Sequence, residues 1–170
     1  MSIILSRLKL DFFDQNYIPP DHENEDAFKV YELIKDDKNL TLEYLTSLTD
    51  RIDKKNAIAS FKKLLSFAEL GHLFHVSFDK KKLHPSHGFK YRAAEKKIWR
   101  LWPVGDIRIY FIYMGQKSIV VLNTAPKRKQ KLSEEEKNHL SDLATHVLDC
   151  FNAGLITINK ENNHDRISGK

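Results

Sequence analysis

The stretch Lys96-Lys97-Ile98-Trp99-Arg100-Leu101-Trp102-Pro103-Val104-Gly105-Asp106-Ile107-Arg108-Ile109-Tyr110-Phe111-Ile112-Tyr113 decides the fold. Two runs rich in β-branched and aromatic residues flank a proline stop and the turn Val104-Gly105-Asp106. A second turn, Met114-Gly115-Gln116-Lys117, leads into a third run over 118–124. Turns this short join antiparallel neighbours, so the stretch predicts a meander. Alternation places Arg108, Tyr110 and Ile112 on one face, with Ile107, Ile109, Phe111 and Tyr113 on the other. On the preceding strand Ile98, Arg100 and Trp102 share one face, Trp99 and Leu101 the other. The apolar face is expected to pack on helices, leaving the Arg108 face open.

Working outward, Ala57, Ile58, Phe61, Leu64, Leu65 and Ala68 recur at helical spacing. Asp53 is the expected N-cap and Gly71 the stop. Lys54, Lys55, Lys62 and Lys63 fall mostly off that stripe. Thr41 is expected to cap a shorter helix. Residues 26–34 read as a further short helix, broken by Asp36-Asp37-Lys38-Asn39. Residues 2–13 read as a strand. His84-Pro85-Ser86-His87-Gly88 is turn-like. Beyond the meander, Ser133 and Glu136 have capping-box spacing. Leu140, Leu143, Ala144, Val147, Leu148 and Phe151 then form a helical stripe.

The expected fold is therefore α+β: a small twisted antiparallel sheet packed on N-terminal helices, with a C-terminal helix. Residues 1–40 form an N-terminal strand and accessory segment, 41–158 the main domain, and 159–170 a polar tail. The whole reads as one compact domain.

Charge points to a partner. Residues 80–131 carry 14 of the 28 Lys and Arg residues but only two acids, Glu95 and Asp106. That segment has a net charge of +12 and the remainder −7. Positive charge gathered on and beside a sheet suits a polyanion. No apolar run is long enough for a membrane span and no secretory signal is read. The lone Cys150 excludes an internal disulfide framework and fits a reducing cytosol. His72/His75 and His84/His87 have His-x-x-His spacing, yet no cysteine joins them. No metal and no cofactor is therefore expected.

The run KYRAAEKKIWRLWPVGDIRIYFIYMGQKSIVVLNTAPKRKQKLSEEE, preceded by a helix pair, resembles the RelE/ParE toxin superfamily, particularly its HigB-like, phage-derived branch. The resemblance covers about Asp53 to Cys150 and rests on motif order: "iWRL", a turn, "G-x-x-R-I-Y-F", an "sIVVLN" strand and a basic patch before a helix. It implies a RelE-like fold and a cytoplasmic toxin of a type II toxin–antitoxin pair that cuts mRNA at the ribosome. It implies a cognate antitoxin as partner, a small helix-turn-helix protein. No metal is required, because RNA supplies its own 2′-OH nucleophile. The catalytic residues implied are Arg108 for charge stabilisation, Lys127 or Arg128 for phosphate or leaving-group contact, and Tyr110 for stacking or proton transfer. Arg100, Lys96, Lys97, Lys129, Lys131, His84 and His87 are the further RNA-binding candidates. The tyrosine that several ribosome-dependent members carry after the basic patch is missing here.

Three other readings stand beside this one. Arg108 reads equally as a surface strand charge, Lys127–Lys131 as a solvated loop, and Tyr110 as a packed strand aromatic. A non-catalytic module binding RNA, ribosome or protein would use the same sheet. A ParE-like gyrase inhibitor would share the fold.

Overall fold

The computed structural model describes residues 3–8, 27–71, 74, 81–115, 117–126 and 132–159. The elements run β1 (Ile3–Arg7), β2 (Lys29–Lys35), β3 (Lys38–Asn39), α1 (Leu40–Ser47), α2 (Arg51–Ala68), β4 (Leu83–Tyr91), β5 (Ala94–Leu101), β6 (Ile107–Tyr113), β7 (Ser118–Pro126), α3 (Glu134–Asn152) and β8 (Ile156–Asn159). The chain is mixed α+β, and its strands form one open sheet in the order β4-β5-β6-β7-β2-β1-β8, with β3 paired to β2.

The meander is present: β4–β5, β5–β6 and β6–β7 pair antiparallel. The sheet differs from expectation in being large and mixed. β2 runs parallel to β7, and β1 runs parallel to β8. Residues 3–7 and 29–35 thus lie inside the sheet, hydrogen-bonded to its other strands.

Helices cover both faces. Ala57, Phe61, Leu64 and Ala68 of α2 pack with Ile107, Ile109 and Phe111 of β6. Each fully buried side chain of the size of Phe61 or Leu64 contributes about 1.5–3 kcal/mol. On the opposite face Leu140, Leu143, Ala144 and Val147 of α3 pack with Ile98, Tyr110, Ile112 and Leu122. The capping box of α3 is formed, with Ser133 accepting from the Glu136 amide and Glu136 accepting from the Ser133 amide. The other caps differ by a few residues. Asn39 caps α1, and Asp50 caps α2 by accepting from the amides of Ile52 and Asp53. Asp53 instead places its acid in the first turn, where it complements the helix dipole.

Three further expectations are corrected. Residues 29–35 form a strand, not a helix. Val30 packs on the α2 side and Leu33 on the α3 side, and a strand buried on both faces shows no alternation to read. The turn-like 84–88 segment lies within β4. Its Pro85 is tolerated because β4 is an edge strand, and a register shift falls between Pro85 and His87. Finally, the Arg108 face is not open at β6: α3 covers part of it, and Arg108 is only 3% exposed. Among the described residues no helix is long and apolar enough to cross a membrane.

Candidate functional site

The meander register sets a polar row across four strands. His84 lies opposite Arg100, Arg100 opposite Tyr110, and Tyr110 opposite Asn123. Directly opposed residues of antiparallel strands share a face, so all four stand on the α3 side. One step further along the same register, Trp102 meets Arg108. Five residues singled out in the sequence or adjoining them are thereby brought together: His84, Arg100, Trp102, Arg108 and Tyr110.

Arg108 occupies an unusual position. Its guanidinium carbon lies 3.8 Å from the centre of the Trp102 ring. Nε and both terminal nitrogens are shut off from solvent and have no hydrogen-bond acceptor among the described residues. Burial, and then the like charge of Arg100, pull its pKa below the ordinary value; Tyr110 and Asp106 oppose that shift. An arginine nevertheless stays charged near neutral pH. A buried ion costs several kcal/mol after relaxation. A desolvated cation–π contact returns about 2 kcal/mol. Stacking on Trp102 therefore offsets only part of the cost, and the guanidinium N–H donors keep no acceptor among the described residues.

The turn between β5 and β6 holds Trp102 in place. Its indole Nε1–H donates to the Gly105 carbonyl. Gly105 has φ +57°, and a Cβ there would lie 2.9 Å from Asn56 Cγ on α2. Ser60 of the same helix donates to the Val104 carbonyl at 3.4 Å. A helix of the opposite layer thus fixes the turn that carries the ring beneath Arg108.

Arg100 is half-buried and donates through one terminal nitrogen to the Lys81 carbonyl at 3.3 Å and to His84 Nε2. Accepting at Nε2 makes His84 the Nδ1–H tautomer, whose Nδ1–H donates to the Pro85 carbonyl at 2.8 Å. His84 thus presents a lone pair to the polar row. His87 is placed differently. Its Nε2 bonds the Lys137 carbonyl of α3 at 3.2 Å, and Nδ1 meets Ser86 Oγ at 3.0 Å. Burial lowers the His87 pKa, and the nearby Lys137 charge adds to that; the Lys137 carbonyl and Glu134 act the other way. With both ring nitrogens engaged, His87 ties β4 to α3.

Tyr110 is 6% exposed and belongs to the cluster under α3, so its ring offers no open face to a base. Burial raises its pKa above the ordinary 10, against the lowering pull of Arg100 and Arg108. The phenol is therefore kept neutral. Lys96 and Lys97 are exposed, yet only Lys96 shares a face with Arg100, and it lies roughly 13 Å away along the strand. Lys97 is on the opposite face, with Trp99. Lys127, Arg128, Lys129 and Lys131 lie outside the described residues, as do His72 and His75. Among the described residues no three of His, Cys, Asp and Glu gather as a metal-ligand group.

The sequence reading missed the role of Trp102 under Arg108. Its signal was present in the alternation, which puts Trp102 across the short turn from Arg108 on a common face. No protein-family model matches the chain, and no curated protein sequence matches it.

Proposed function

We propose that this chain is the toxin of a type II toxin–antitoxin pair, a metal-independent endoribonuclease that cuts mRNA at the ribosome. The observation that carries the reading is the unsatisfied Arg108 guanidinium, set beside Arg100 and His84 on one face of a basic meander. The succession of helix pair, antiparallel meander and C-terminal helix also supports it, since the RelE-like resemblance implies that order.

In this reading Arg108 receives the scissile phosphate and stabilises the charge that builds on the phosphorane. Arg100 turns from His84 to a second phosphate oxygen. His84 Nε2, released from Arg100, takes the proton of the 2′-OH as its oxygen attacks phosphorus. The P–O5′ bond breaks, leaving a 2′,3′-cyclic phosphate and a 5′-hydroxyl. Lys127 or Arg128 supports the departing oxygen by charge; that oxygen takes its proton from water, and His84 returns the 2′-OH proton to solvent. A cognate helix-turn-helix antitoxin neutralises the toxin in the cytoplasm.

One observation favours a second reading. The Arg108 nitrogens are closed to water, and an enzyme must reopen such a site at every turnover. A non-catalytic RNA- or ribosome-binding module on the same sheet has no such requirement. Inducing the chain alone in bacteria tests both. Arrest of growth and translation with cleaved mRNA supports the enzyme. Arrest with intact mRNA supports the module, unless gyrase-linked DNA breaks accumulate, which would mark a ParE-like inhibitor. Normal growth at verified soluble expression removes the toxin reading.

A further inference from the structure

The Arg108 guanidinium has no hydrogen-bonding partner among the described residues to orient it. An arginine side chain has four rotatable bonds, and on a strand face nothing in its covalent structure fixes the plane of its head group. Here the head group is held from outside. The ring centre of Trp102 lies 3.8 Å from the guanidinium carbon. The Nε1–H of that ring is bonded to the Gly105 carbonyl. Gly105 in turn packs so closely on Asn56 that an added Cβ would force the Asn56 side chain to shift. Stacking on an aromatic face uses the guanidinium's π surface and leaves its N–H edges unspent. A carboxylate in the same position would have consumed them.

We infer that Trp102 is a positioning residue: it holds the Arg108 guanidinium over its ring with the donors unused, so that a phosphodiester entering the site meets them already placed. The inference rests on the phosphate role given to Arg108 above. Because the donors are closed to water, the phosphate reaches them only when what covers them is displaced. The loss of that covering contact is set against two parallel charge-assisted hydrogen bonds.

A double-mutant cycle tests this. The probe is a fluorescently labelled hexaribonucleotide with 2′-O-methyl groups, which binds but has no nucleophile. Its affinity is measured by anisotropy for the full chain, Arg108→Gln, Trp102→Met and the double variant. Trp102→Gln stands in for Trp102→Met should the latter lower the thermal midpoint. Expected is a loss of about tenfold for the Trp102 variant in the native background, and less than twofold once Arg108 is gone; contacting residues that act as a unit show such non-additivity. Trp102→Phe keeps a ring face and should recover most of the loss. The same loss in both backgrounds would make Trp102 a mere packing residue and overturn the inference while leaving the phosphate role of Arg108 intact. Unchanged affinity for Arg108→Gln would instead remove the phosphate role itself, and the inference with it.

Discussion

Arg108 sits on Trp102 with 3.8 Å between guanidinium carbon and ring centre, and none of its nitrogens has an acceptor among the described residues. A charge in that condition costs the fold stability. Replacing such an ion by an apolar side chain of similar volume is often neutral or stabilising by 1–4 kcal/mol, whereas breaking a buried ion pair loses about 3–5 kcal/mol.

Arg108→Met should therefore raise or preserve stability while weakening RNA binding and relieving toxicity. At this chain length a gain of about 1 kcal/mol reads as roughly 2–4 °C in the thermal midpoint. A drop of several degrees would mean that the guanidinium is paired, and the case for a waiting anion site would fail.

His87 predicts a pH dependence of stability. Burial lowers its folded pKa below the ordinary 6.5, so in the window just below 6.5 the unfolded chain binds more protons than the folded one. Stability is then full above the unfolded value and is lost as pH falls through the folded value. In His87→Gln the slope of stability against pH should flatten in that window, relative to the native chain under the same urea titration. Parallel slopes would show that His87 does not titrate with folding.

Gly105→Ala should destabilise by more than about 1 kcal/mol, because an L side chain at positive φ is strained and its Cβ meets Asn56. Adding Asn56→Ala should recover part of the loss, since it removes the Asn56 amide and leaves the backbone strain. No loss in the single variant would mean that the turn holding Trp102 is looser than described.

Lys127→Ala with Arg128→Ala tests the basic patch. Each phosphate contact to a single strand contributes about 0.7 to the slope of log affinity against log salt. Two lost contacts should reduce the slope by about 1.4. An unchanged slope returns the patch to an ordinary solvated loop.

Much of this arrangement was legible in the sequence, and the exceptions have physical causes. The Ser133 and Glu136 cap needs only local spacing, and it formed as read. Alternation around Arg108 and Tyr110 assigned both to one face correctly. What alternation cannot say is which face a distant helix covers, and α3 packs on the side expected to be open. In the strand Lys29–Lys35, Val30, Leu33 and Ile34 sit at helical spacing and so predict a helix, while burial on both faces erases the two-residue period. Pro85 and Gly88 are turn residues and predict a turn at His84. On an edge strand with a register shift, the same residues continue the ladder, and His84 comes opposite Arg100. The stack of Arg108 on Trp102 is a tertiary fact, prepared by the turn but fixed by Asn56 and Ser60 from another layer.

The proposed activity has the polar row from His84 to Arg108 cut RNA through the 2′-OH of the RNA itself. Its most direct test is product analysis of mRNA incubated with ribosomes and purified chain in excess EDTA. Expected are fragments ending in 2′,3′-cyclic phosphate with 5′-hydroxyl partners, formed about 10²–10³ times more slowly by Arg108→Gln. Cleavage that stops on chelation, 5′-phosphate products, or native rates from Arg108→Gln would contradict it.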